Sequence, residues 1–188
     1  MFREVKAKLL AIVAVITLAA SAAQAAPAAP AQAEKGAREK LEKQVRHELV
    51  TLPYFGVFDN LAYKVEGGTV TLYGQVVRPS TRKDAERRVA ELAGVERVVN
   101  EIEVLPVSSF DDQIRVQTVR EIQRTAGLYR YLLGGNPSLH IVVNRGHVTL
   151  EGVVLDETDR RLASFAARSV PGVFSVTNNL RTERGGRY

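Results

Sequence analysis

The second part of this chain repeats an earlier part, and no other feature of the sequence limits the fold as much. With Val143 laid on Val65, an offset of 78 residues, Gly68 meets Gly146, Val70-Thr71-Leu72 meets Val148-Thr149-Leu150, and Gly74 meets Gly152. The same ungapped register carries Val76 onto Val154, Arg82 onto Arg160, Ala85 onto Ala163, Gly94-Val95 onto Gly172-Val173, Val98 onto Val176 and Asn100 onto Asn178. Coincident glycines in an unbroken register mark a tandem duplication. The fold must therefore be one small unit written twice, each copy with its own core.

Each copy reads the same way. Leu61 to Val65 and Val70 to Val76 alternate apolar with polar residues about Glu66-Gly67-Gly68, the pattern of a β-hairpin. The second hairpin runs from His140 to Val143 and from Val148 to Val154 about Asn144-Arg145-Gly146. Ala85, Val89 and Leu92, matched by Ala163, Ala167 and Val170, then form helical stripes. Pro79 suits a first helical position, Asp156 an N-cap, and Gly94 and Gly172 are expected to end the two helices. Third strands follow over Val95–Val104 and Val173–Leu180. Ahead of each hairpin lies another amphipathic stretch, with Leu41, Val45 and Leu49 in one copy and Ile114, Val119 and Ile122 in the other. The predicted fold is α+β: two tandem α-β-β-α-β modules, each a three-stranded mixed sheet covered by two helices on one face. Their bounds are residues 38–106 and 111–182, with a linker at 107–110 short enough to hold the modules in contact and a tail at 183–188. Phe110 is placed to pack between them.

The start of the chain is different in kind. Arg3, Lys6 and Lys8 precede an apolar run from Leu9 to Ala20 and then small residues, the three parts of an export signal. Residues 1–25 are read as a signal peptide cleaved near Ala25 or Ala26, and the Ala-, Pro- and Gln-rich residues 26–37 as a flexible spacer. There is no cysteine, which excludes disulfides and a lipidated N-terminal cysteine, so the mature protein is expected to be periplasmic and not a lipoprotein. Net charge is +5, and losing Arg3, Glu4, Lys6 and Lys8 with the leader leaves about +3. That allows attraction to an anionic surface but lacks the concentrated basic stripe of a nucleic-acid binder.

The run Gly68-x-Val70-x-Leu72-x-Gly74-x-Val76, then an Ala-containing helix, then Gly94-Val95-x-x-Val98-x-Asn100 resembles the BON domain, and Gly146 to Asn178 carries the pattern again. The resemblance spans nearly all of the mature chain and extends to the hyperosmotically inducible periplasmic proteins. It implies a non-enzymatic envelope protein that binds anionic phospholipid peripherally and protects against envelope or osmotic stress. A protein-interaction or chaperone-like role in the periplasm is the alternative. The absence of a lipidated cysteine sets this chain apart from the outer-membrane lipoproteins of the family.

No catalytic constellation emerges: there is no cysteine, there are three histidines, and the serines are scattered without a base and an orienting acid. His140 and His147 fall at different points of one hairpin, too far apart to share a metal ion, and no cofactor or metal site is expected. Gly68, Gly74, Gly94, Gly146, Gly152 and Gly172 are read as structural, with Gly68, Gly94, Gly146 and Gly172 at turn and cap positions expected to take a positive φ; Asn100 and Asn178, whose amides can bridge to neighbouring backbone, are read as structural too. Between first helix and first strand the second copy is five residues longer, counting from Ile122 to Leu139 against Leu49 to Leu61. The added stretch contains Tyr129, Arg130 and Tyr131, an interfacial mixture that is the candidate contact for lipid or partner. In the competing reading Leu128, Leu132 and Leu133 extend the helix and pack. Tyr54 and Phe55 are the corresponding candidates in the first copy, where aromatics can instead close the core edge.

Overall fold

The computed structural model describes residues 28–183; the leader proposed for residues 1–25 lies outside them. Helix α1 spans Ala28–Val50, so the stretch read as a flexible spacer is helical from Ala28. Alanine has the best helix propensity, and Pro30 falls in the first turn, where its missing N–H has no intrahelical partner. Strands β1 (Asn60–Glu66) and β2 (Thr69–Val76) form the first hairpin, followed by α2 (Pro79–Ala90) and β3 (Arg97–Val104). The second copy comprises α3 (Ser109–Arg124), a 3-10 turn over Leu128–Leu132, β4 (Leu139–Asn144), β5 (His147–Val154), α4 (Glu157–Arg168), β6 (Ser175–Asn178) and β7 (Arg181–Thr182).

The sheet orders are β1-β2-β3 and β4-β5-β6, with each hairpin antiparallel and each third strand parallel to the hairpin's second strand. The two sheets also share a register. Val70 lies beside Val98 and Leu72 beside Asn100, just as Val148 lies beside Val176 and Leu150 beside Asn178. The third strand of the second copy is interrupted at Asn179-Leu180 and resumes as β7 on β5 without slipping, Val153 facing Arg181.

Alternation puts one face of each sheet in a core. Val65, Val70, Leu72, Val76 and Ile102 meet Leu41, Val45 and Leu49 of α1 and Ala85 and Val89 of α2. In the second copy Ile141, Val143, Val148, Leu150 and Val154 meet Ile114, Ile122, Ala163 and Ala167. Side chains of this size contribute roughly 1.5–3 kcal/mol each when buried, which explains why the pattern decides the fold.

Three local expectations need correcting. The helices α2 and α4 stop at Ala90 and Arg168, and Gly94 and Gly172 lie four residues further on, in the turns that lead to the third strands. In the second copy Pro171 prevents the helix from continuing that far. In the first hairpin Gly67, not Gly68, takes the positive φ (58°), whereas in the second Arg145 and Gly146 both do (51° and 78°). Those are the φ patterns of a II′ and an I′ turn, the two that match strand twist. Phe110 does not lie between the modules but packs within the second, its ring 6.1 Å from that of Phe174.

What joins the modules is the α1–β1 connection. The Ile141 N–H donates to the Val57 carbonyl (2.7 Å), and Val57 and Phe58 pack against the second core. That contact covers the outer edge of β4, a row of backbone groups otherwise open to pairing with other chains.

Candidate functional site

The second copy's longer connection places Tyr129, Arg130 and Tyr131 in the 3-10 turn, and the three side chains part company there. Tyr129 is exposed. Tyr131 is buried, and its hydroxyl accepts from the Leu155 N–H (2.9 Å) and donates to Asp159. The Arg130 guanidinium lies over the Tyr131 ring (4.8 Å to its centre) and donates both to the Tyr131 hydroxyl and to Asp159, with which it forms a salt bridge. Burial, and then the neighbouring Asp159, push the Tyr131 phenol above its usual range. This network ties the turn to the first turn of α4, while Leu128 lies in the core and Leu132 packs against it. Arg130 and Tyr131 thus have intramolecular partners and Tyr129 alone of the three points its ring to solvent; of the leucines expected to extend the helix and pack, Leu133 is exposed, and α3 ends before this turn.

The first copy's aromatic segment is also engaged. Tyr54 is exposed with φ at 66°, its ring beneath the Arg78 guanidinium at 4.6 Å. Phe55 stacks on His140 of the other module (ring centres 5.5 Å apart), and the Gly56 carbonyl lies 3.3 Å from His140 Nδ1. Beneath them Asp59 is buried and accepts from the Gly56 and Val77 N–H groups (3.1 and 2.8 Å). Burial raises the Asp59 carboxyl above its usual range despite those bonds, and burial lowers the His140 imidazole. Neither Asp59 nor the environment of His140 carries a signal in the sequence pattern. Only the docking of one module on the other brings the two near each other.

The repeated polar residues do matching work. Asn100 donates to the Arg82 carbonyl and accepts from the Ile102 N–H, and Asn178 donates to the Arg160 carbonyl and accepts from the Leu180 N–H. Each staples its module's second helix to the third strand. At Gly74 and Gly152 the φ values are 119° and 115°, and a Cβ would sit 2.1 Å from the carbonyl oxygen of Asn60 or Ser138 on the facing chain. Both sites exclude any side chain.

A further surface lies apart from the candidate contacts read in the sequence. Along α4, Arg160, Arg161, Ser164, Phe165, Arg168 and Asn178 line a shallow groove of about 380 Å3. Arg168 also borders a second groove of about 370 Å3, formed with Val173, Phe174, Ser175 and Val176. Phe165 and Phe174 are 72% and 70% exposed, high for rings of that size. Comparing where the two copies differ, instead of where they match, would have drawn attention to both. His140 and His147 stand at opposite ends of the β4–β5 hairpin, paired with Glu151 and Asn144. Among the described residues no group of three His, Asp or Glu side chains is placed to hold a metal ion, and no helix is long and apolar enough to cross a membrane.

Two copies of one α-β-β-α-β unit, matched in register and in their Asn staples, define a tandem α+β protein. The chain belongs to the BON-domain family, whose model matches residues 37–106 and again 111–184. No curated protein matches it. Among solved structures it is similar to the C-terminal domain of CdsD, the structural protein of the type III secretion system of Chlamydia trachomatis, at 11% identity and a TM-score of 0.31, covering 76% of this chain and 96% of that one. A second structure of CdsD aligns at 12% identity and a TM-score of 0.30, covering 79% and 99%.

Proposed function

We propose that this is a non-enzymatic envelope protein, exported to the periplasm, that binds the surface of anionic phospholipid membranes. Membership of the BON family in two copies carries the reading. Exposed arginine beside exposed aromatic rings supports it, since rings of this kind rest at headgroup depth and guanidinium groups meet phosphate bidentately. Tyr129, and Tyr54 with Phe55, remain candidate contacts. Protection of the envelope under osmotic stress follows as the physiological role, to be tested by growth of a deletion strain at high osmolarity. For binding itself, co-sedimentation with phosphatidylglycerol or cardiolipin vesicles at low salt should pellet the protein, and vesicles of phosphatidylcholine alone should not. Equal recovery with both, or with neither, would refute the reading.

A second reading, a protein-interaction module, has one observation in its favour: β3 is an edge strand paired on one side only among the described residues. Crosslinking in intact cells from cysteines introduced at Glu101 and Glu103 should then trap protein adducts, and the lipid reading expects none.

A further inference from the structure

We propose that the membrane contact is made chiefly by the second copy, through the α4–β6 face carrying Arg161, Phe165, Arg168 and Phe174. The inference rests on the phospholipid reading above and assigns it to a surface.

The duplication supplies an internal control. At the repeat offset Arg160, Arg161 and Arg168 occupy the positions of Arg82, Lys83 and Ala90, while Ser164, Phe165 and Phe174 occupy those of Glu86, Arg87 and Glu96. The first copy's version of this face sets carboxylates among its cations, although Arg82 and Lys83 form no salt bridge among the described residues. Glu86 accepts from the Asn100 amide, Arg87 pairs with Asp84 at 2.8 Å, and the Glu96 side chain lies where a Cβ on Gly68 would fall. In the second copy both carboxylates are gone from these positions and two phenylalanines have appeared. Arg160 still pairs with Glu157, and Arg161 also acts electrostatically on that carboxylate, but neither Arg161 nor Arg168 forms a salt bridge among the described residues.

The chemistry of the face selects its occupant. Two solvated rings and two unpaired guanidinium groups lie along adjoining grooves that share Arg168. Exposed phenylalanines on both sides of an arginine are costly in water, and they are suited to a boundary where rings enter the acyl region and guanidinium groups stay with phosphate. A small anion would satisfy the arginines and leave both rings in water. An anionic bilayer satisfies both sets of groups.

The test uses the full chain and vesicles of phosphatidylcholine with and without phosphatidylglycerol, at low salt. Arg161→Gln with Arg168→Gln should weaken binding to the anionic vesicles by roughly thirtyfold, from about fivefold for each basic residue at an anionic surface. Phe165→Ser, at a position that is mostly solvent, should weaken it separately without shifting the thermal midpoint. Lys83→Gln with Arg87→Gln, the same positions in the first copy, should leave binding within about twofold of the wild type. Wild-type binding that survives both α4 variants, or that falls equally in the first-copy control, overturns this assignment and leaves the lipid reading standing. A wild-type chain that ignores anionic vesicles, as a binder of acidic protein would, overturns the lipid reading and this assignment with it.

Discussion

At the scale of single residues, the groups that matter most to the fold hold backbone in place. Asp111 stands in the first turn of α3, where a carboxylate is ordinarily valued for its interaction with the helix dipole. Its side chain is instead buried and accepts from the N–H groups of Arg145 and Gly146 (2.9 and 2.8 Å), clamping the tip of the second hairpin. Asp111→Ala leaves the buried Gly146 N–H and the part-buried Arg145 N–H unpaired, at roughly 1–3 kcal/mol for the buried donor and less for the other, so urea unfolding should show a loss of about 2 kcal/mol. Gly152→Ala should cost at least as much, because its Cβ would strike the Ser138 carbonyl and its φ disfavours any L side chain. Gly135→Ala, where a Cβ meets open space, should stay within about 0.5 kcal/mol of the wild type.

At the scale of elements, the α1–β1 connection and the edge of β4 act as one unit, and its chemistry depends on pH. Burial holds the His140 imidazole below its unfolded value of 6.5, so the unfolded chain takes up a proton first as the pH falls. Its contribution is fully present above 6.5 and is lost as the pH falls toward the lowered folded pKa. Asp59 has the opposite sign. Its carboxyl is raised above 3.8, so it favours the folded state below that value and costs stability as the pH rises through the folded pKa. Urea midpoints measured from pH 7 down to pH 5 should therefore fall in the wild type and fall less in His140→Gln, which has no proton to gain. Parallel slopes for the two proteins would show that His140 is not the group responsible.

At the scale of the whole molecule, the modules have separate cores but are not independent, since Val57 and Phe58 of the first copy pack against the core of the second. The chain from Ala37 onward forms one compact unit. A single cooperative transition is expected for the wild type. Phe55→Ser combined with Phe58→Ser removes the ring on His140 and the anchor in the second core, and should split unfolding into two steps resolvable by calorimetry. A transition that stays single in the double variant would place the coupling elsewhere.

The duplicated fold was legible in the chain itself because period-two and helical stripes report which face is buried, and because those stripes recur in register with matching glycines, of which Gly74 and Gly152 leave no room for a side chain. Helix ends were less legible. A glycine marks a reversal without saying how many residues separate it from the last helical bond, as Gly94 and Gly172 show. Nor could the spacer's composition alone distinguish an alanine-rich helix from a coil. The candidate contacts were the least legible part. Tyr131 and Arg130 have the composition of an interface, yet Asp159, from a helix more than twenty residues away, takes up their polar groups. Local pattern determined each module, since burial of an alternating face depends on near neighbours in sequence. Which side chains were left free to meet a partner was decided only when distant segments packed together, because a charge is available to a partner only where no internal partner has reached it first.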